Sequence, residues 1–350
     1  MMRRVILAAA LALPIAVVAA APAGACGGLV GENGTIQLGK TTTLAAYTGG
    51  VERYVTAFEF TGTGESVGSL VPLPDVPTEV TRAGDWTLQR LVQEVTPPQA
   101  AGADEAASAI AADSSAEVIL ETQIDALDIT VLRGGADEVG EWAVEHGFLL
   151  TPDTPEVLDF YARRSPVVMA AKFDAQRAQE LGQGSGDSTP IMATIPTDDP
   201  WVPVHILGLG LEAQQQVQAD VFLLTDDKPE VLAGGDGLTI NRSEQASTGL
   251  LADLRSDQNM DWMPRDMWLS YLTLDAPAAD LSYDLAVSTT PGVEPSLVDA
   301  GVEAEPLAAR PVPEADDGWP VRNLALGAGV VVIAGLGGFA LLRRRPAGGS

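Results

Sequence analysis

Residues 52–60 read Glu52-Arg53-Tyr54-Val55-Thr56-Ala57-Phe58-Glu59-Phe60 and alternate with a period of two. Tyr54, Thr56, Phe58 and Phe60 fall on one side, and Val55, Ala57 and Glu59 on the other, which is the pattern of a β-strand. Just beyond it, residues 68–73 (GSLVPL) form another short strand, closed by the rigid turn Pro74-Asp75-Val76-Pro77. Strand-like runs return at 117–122, 127–133, 167–173, 191–195, 203–207, 216–224, 268–274 and 281–287. Helical spacing is rarer. Leu88, Leu91 and Val92 recur at i, i+3, i+4 within 86–95. Residues 136–146 align Val139, Trp142 and Ala143 and stop at Gly147, a glycine placed to leave a helix in the left-handed region. Residues 154–164 open with Thr154 as N-cap, Pro155 at the first helical position and Glu156 against the positive end of the dipole. Val157, Leu158 and Tyr161 form its buried stripe, and Pro166 ends it. Many short strands, few helices and no β-α-β alternation predict an α+β fold with mainly antiparallel sheets and a few short helices.

The two ends of the chain carry different signals. Residues 1–25 have the order of a secretory signal peptide: Arg3 and Arg4, an apolar run, then Ala23-Gly24-Ala25 before the expected cut. Residues 324–342 (LALGAGVVVIAGLGGFALL) hold no charge and are followed by Arg343, Arg344 and Arg345. A helix of that length reaches about 28 Å, close to the ~30 Å hydrocarbon core of a bilayer. Its leucines, valines, isoleucine and phenylalanine favour insertion by roughly 3–6 kcal/mol, and arginines accumulate on the cytoplasmic side. The expected organisation is therefore an acidic extracytoplasmic domain over 26–292, with a lobe boundary at 97–116. A Pro/Ala/acid-rich stalk follows over 293–322, then one C-terminal transmembrane helix over 323–343 and a cytoplasmic tail over 344–350. This predicts a single-pass protein of the cell membrane.

Formal net charge is −28, and residues 26–323 alone carry 15 bases against 48 acids, a balance of −33. Such a surface repels phosphate backbones, which excludes nucleic-acid binding. Cys26 is the sole cysteine, so no intramolecular disulfide forms and the domain relies on its core. Three roles compete for Cys26: a lipidation site, a nucleophilic thiol, or a structural terminus with a free thiol. The histidines are His146, read as a helix-end cap, and His205, read as lying on one sheet face. They complete no H-E-x-x-H or zinc pattern. There is no G-x-S-x-G elbow, and Gly182-Gln183-Gly184-Ser185-Gly186 lacks the lysine of a phosphate loop. No cofactor is expected.

Asp257, Asn259 and Asp261 begin like a calcium loop, but Trp262 stands where its glycine is needed and Trp268 where its bidentate glutamate is needed. They are a weak calcium candidate. Trp262, Trp268 and Tyr271, with Met263 and Met267, form the densest aromatic patch, which suits core packing or a ligand platform. Asp236 in Gly234-Gly235-Asp236-Gly237 fits a hairpin turn.

Several of these residues together resemble a bacterial family. They are Ala25-Cys26-Gly27-Gly28, the strand at 52–60, and Ser69-Leu70-Val71-Pro72-Leu73-Pro74-Asp75-Val76-Pro77. Asp128-Ile129-Thr130-Val131-Leu132 follows, then Trp142, Gly147-Phe148, Leu150 and Tyr161. The pattern is similar to domain-of-unknown-function family 2330, which comprises secreted or membrane-anchored proteins, over roughly residues 25–290. The chain departs from it in having Ser69-Leu70-Val71 where an aromatic is usual, and no second cysteine. The resemblance implies an envelope location and no particular activity. The sequence thus favours a non-enzymatic binding or scaffolding protein of the cell envelope. The alternatives are an extracytoplasmic hydrolase or thiol enzyme using Cys26 or an acidic pair, and a calcium-dependent binding module.

Overall fold

Alternating apolar residues dominate the computed structural model, which describes residues 28–31, 41–58, 67–96, 116–183, 189–302 and 310–311. In chain order the elements begin β1 (Gly28–Gly31), β2 (Thr41–Thr48), β3 (Val51–Phe58), β4 (Val67–Pro72), β5 (Glu79–Arg82) and α1 (Thr87–Val95). They continue with β6 (Glu117–Ile124), β7 (Leu127–Arg133), α2 (Ala136–Glu145), α3 (Thr154–Arg164), β8 (Val167–Phe173), α4 (Ala175–Leu181) and β9 (Thr189–Pro196). The remainder are β10 (Trp201–Val202), β11 (Gln216–Thr225), β12 (Glu230–Ala233), β13 (Leu238–Gln245), α5 (Thr248–Ser256), β14 (Trp268–Pro277), β15 (Leu285–Ser288) and β16 (Arg310–Pro311). Short 3-10 turns cover His205–Gly208 and Ala278–Asp280.

Three sheets result. A seven-stranded sheet runs β13-β14-β11-β2-β3-β9-β5, a five-stranded one β1-β4-β8-β7-β6, and a four-stranded one β10-β15-β12-β16. Among the described residues every pairing is antiparallel except β2 with β11, which are parallel. The α+β architecture with mainly antiparallel sheets is as the sequence predicts. β2 and β3 turn back through Gly49 and Gly50, at φ +59° and +77°. Two consecutive positive φ values match the twist of a hairpin, and only glycine adopts them without strain.

Strand alternation explains the layers. On β8, Val167, Met169, Ala171 and Phe173 face inward to a core shared with Tyr54, Ile191, Val221 and Leu272 of the seven-stranded sheet. Val168 and Ala170 point the other way, onto Val139, Trp142, Val157 and Leu158 of α2 and α3. The far side of the seven-stranded sheet is covered by α1 and α5, through Leu88, Leu91, Leu250, Leu251 and Leu254 against Leu44, Val55 and Leu224. The order is helices, sheet, sheets, helices. Each fully buried leucine in such a layer stabilises by about 1.5–3 kcal/mol. β3 is consequently buried on both faces, with Glu52 on the same side as Tyr54 and Thr56.

Several local expectations are corrected. Residues 203–207 are not a strand: β10 stops at Val202 and His205–Gly208 is a 3-10 turn, because the Val204 and His205 amides bond the Asp284 carboxylate instead of a neighbouring strand. β15 starts at Leu285 rather than 281, since the Asp284 amide bonds the carbonyl of Ala300. Asp153, not Thr154, is the N-cap of α3; Thr154 is buried and its hydroxyl accepts from the Thr151 amide. Gly234-Gly235-Asp236-Gly237 joins β12 to β13 across two different sheets, so it is not a hairpin turn. The start of the segment read as a stalk belongs to the domain. Ala300 is fully buried, Val302 packs on the core and β16 pairs with β12. Gly301, at φ +79°, brings the backbone so close to Phe160 that an added Cβ would lie 2.3 Å from the ring. The signal peptide, most of the 97–116 boundary and the transmembrane helix at 323–343 lie outside the described residues. Among the described residues no helix is long and apolar enough to cross a membrane.

Candidate functional site

α3 ends with Arg163 and Arg164 in its last turn, where cations suit the dipole. Arg163 stays at the surface with Asp159. Arg164 turns inward. Its side chain is only 10 % exposed, its guanidinium stacks 4.2 Å above the Trp201 ring, and Nη1 bonds Asp284 Oδ2 at 2.7 Å. Nη2 donates to the Asp299 carbonyl. Three residues earlier, the buried Tyr161 hydroxyl donates to Asp284 Oδ1 at 2.9 Å and accepts from the Ile206 amide at 2.9 Å. Asp284 Oδ1 also accepts from the amides of Val204 (2.7 Å) and His205 (3.1 Å). One carboxylate thus pins α3, the 3-10 turn and the entry to β15.

Burial raises the Asp284 carboxyl above its ordinary range, while Arg164 and the two amides pull it down. Burial, with Asp284 beside it, pushes the Tyr161 phenol well up. His205 does not complete a catalytic relay. Asp284 bonds its backbone amide, while its ring Nδ1 meets the Leu281 carbonyl and packs on Phe160 at 4.5 Å between centroids. His146 is a helix-end cap as expected: Nδ1 bonds the Trp142 carbonyl at 2.9 Å, and its ring stacks on Trp142.

Glu52 is the outlier of this cluster. It is fully buried, and neither carboxylate oxygen has a hydrogen-bond partner. Burial pushes its pKa up to about 8. The Trp201 backbone and the Arg164 guanidinium favour the ionised form, but neither makes a well-formed hydrogen bond with it. Nε of Arg164 is likewise buried without a partner. An ionised, unpaired carboxylate at such depth is costly enough that the group holds its proton instead.

The residues singled out by sequence lie elsewhere. Cys26 is outside the described residues. Asp257 is buried, and its carboxylate accepts from the amides of Asp85, Trp86 and Gln258 and from the Thr87 hydroxyl. It caps the start of α1 from the end of α5. Asn259 reaches the Arg82 carbonyl, and Asp261 is exposed. Among the described residues no group of three or more His, Cys, Asp or Glu side chains is arranged to hold a metal ion. Asp257→Ala is expected to cost about 2–4 kcal/mol, because the buried Thr87 hydroxyl and two helix-start amides lose a charged acceptor. Urea unfolding checks this, and a loss below about 1 kcal/mol would refute the capping role. Trp262, in the loop after α5, and Trp268 and Tyr271, on β14, are half-buried, and Trp262 and Tyr271 pack against the core under α1 and α5. Trp268 Nε1 donates to Ser243, Tyr271 donates to Asp220 at 2.6 Å and stacks on Phe222, and Arg53 lies 4.4 Å over Trp262. Met263 and Met267 are fully packed beside them.

Glu52, Arg164 and Asp284 are not singled out by any motif or spacing in the sequence. One signal was present for Glu52. It shares a strand face with Tyr54 and Thr56, and a charge on an apolar face of a central strand is a polar group that must be buried.

No family model and no curated protein matches this chain. Among solved structures it is similar to a mutated baculovirus P35 after caspase cleavage. The TM-score is 0.37 and the identity 7 %, covering 72 % of this chain and 98 % of that one. The P35 of a caspase-8/P35 complex gives a TM-score of 0.34 and 9 % identity, over 71 % and 92 %. Likeness at this level carries neither fold nor function across.

Proposed function

We propose that this chain is a single-pass cell-envelope protein that acts by binding or scaffolding rather than by catalysis. Its acidic domain lies outside the cell, held by a helix over 324–342 with Arg343–Arg345 at the cytoplasmic face. Kinship with domain-of-unknown-function family 2330 is part of the same reading. The observation that carries the non-catalytic half is the closure of the reactive groups: Asp284, Tyr161, Arg164 and Asp257 direct their polar atoms into the fold. The apolar run followed by three arginines supports the membrane half. Intact cells treated with a membrane-impermeant amine reagent should yield protein labelled at the exposed Lys228. The full chain should also stay with membranes through a carbonate wash, and deletion of 324–342 should release it. Labelling only after lysis, or a freely soluble full chain, would overturn the proposal.

A further inference from the structure

The α2–α3 pair covers the outer face of the five-stranded sheet with Val139, Trp142, Val157 and Leu158. The opposite side of the pair is not uniformly polar. A groove of about 380 Å³ runs between the two helices, and Gly140, Val144, Leu150, Pro155 and Leu158 form its walls. Val144 is 60 % exposed at its edge, and Leu149, in the loop that follows, is 47 % exposed. Gly140 puts no side chain into the groove, and an added Cβ would make ordinary contact with Leu150 and Leu158, each 3.8 Å away.

The rim determines what suits this groove. Asp137, Glu141 and Glu145 line it from α2. They are spaced i, i+4, i+8, which sets them about 6 Å apart along one edge. α2 holds four acids and no base. Like charges four apart destabilise a helix, and an acid in the last turn opposes the dipole. Glu145 is thus locally unfavourable where it stands, yet it continues the row beside the apolar floor.

Resting on the binding reading above, we propose that the α2–α3 groove docks a basic amphipathic helix of a partner protein. Apolar residues of the partner at i, i+3 or i+4, and i+7 would enter the groove, the usual helix-in-groove mode. Lysines or arginines flanking that stripe would pair with the α2 carboxylates. The charge argues for this occupant over an anionic lipid surface or a second acidic copy of the chain, since both would be repelled.

The test uses the full chain in nanodiscs of zwitterionic lipid and a fluorescein-labelled Leu/Lys peptide of about four helical turns, read by anisotropy. Two control peptides are a scrambled isomer of identical composition and the Leu/Glu counterpart. The amphipathic Leu/Lys peptide should bind, more weakly as salt rises, and the controls should bind at least tenfold less. The double variant Val144→Gln/Glu145→Lys should lower affinity at least tenfold while its melting temperature stays equal or rises, because a cation in the last turn suits the helix end. Equal binding of the scrambled peptide, unchanged binding by the folded double variant, or a concentration-dependent dimer that occludes the groove would each overturn the proposal. Failure here with surface labelling intact removes only the groove, and failure of labelling with peptide binding intact removes only the membrane topology.

Discussion

Arg164→Met is expected to destabilise the protein by about 3–5 kcal/mol, the cost of leaving one member of a buried ion pair without its partner. The substitution keeps the length of the side chain and its packing against Trp201, and removes the charge that faces Asp284. Asp284 is fully buried, so water cannot replace the guanidinium. Tyr161 and two amides would still bond the carboxylate, but none of them neutralises it. Stacking of Arg164 on Trp201 adds a smaller loss of about 0.5–2 kcal/mol. The double variant Arg164→Met/Asp284→Asn should lose clearly less than the sum of the two single changes, because residues in one network couple. Urea unfolding of all four proteins measures this. A single-variant loss under about 1 kcal/mol, or strict additivity, would mean the pair is solvated and does not hold α3.

Glu52→Gln should act in the opposite direction and depend on pH. Below about pH 4 both folded and unfolded chains carry the Glu52 proton, and the carboxyl has no effect on the balance. Between its ordinary value near 4.5 and about 8 the unfolded chain has lost the proton and the folded chain retains it. The unfolded state then binds fewer protons, so stability falls as pH rises, by about 1.4 kcal/mol per unit. Across the window the fall sums to about 3–5 kcal/mol, and it levels off above about pH 8. Glutamine has no proton to lose, so the variant should lack this slope. Its unpaired buried amide costs about 1–3 kcal/mol at every pH. The variant should therefore be no more stable than the parent at about pH 5 and more stable at about pH 9. A stability difference that stays constant between those two conditions would sink the assignment.

Sequence pattern reveals most of the elements and little of the cluster. Strands with apolar runs or alternation and helices with a periodic apolar stripe are legible: β7, β8, β11, α1, and α2 with its Gly147 stop all follow from local chemistry. β13 is not, because Leu238–Gln245 is largely polar and only its place beside β14 makes it a strand. β5 and β12, at four residues each, are too short to show a period. Residues 203–207 look like a strand because the sequence cannot reveal that Asp284 will take their amides. The same holds for the site. Tyr161 and Asp284 are 123 positions apart, and only the tertiary fold sets them 2.9 Å from each other. Asp257 illustrates the converse. A spacing that suits an ion was visible, but the amides of Asp85 and Trp86 that use its carboxylate come from another part of the chain.

The parallel pairing of β2 with β11 has a consequence for synthesis. β2 lies at the centre of its sheet, between β3 and β11, and its partner residues on β11 run from Ala219 to Thr225. A ribosome adding ~5–20 residues per second delivers β11 roughly 10–35 s after β2 has been made. Through that interval the apolar ribbon of β2 and β3 has no ladder on its open flank, and such long-range closure is slow even for a finished chain. The nascent polypeptide must therefore be kept apart from its neighbours until its second half has been made.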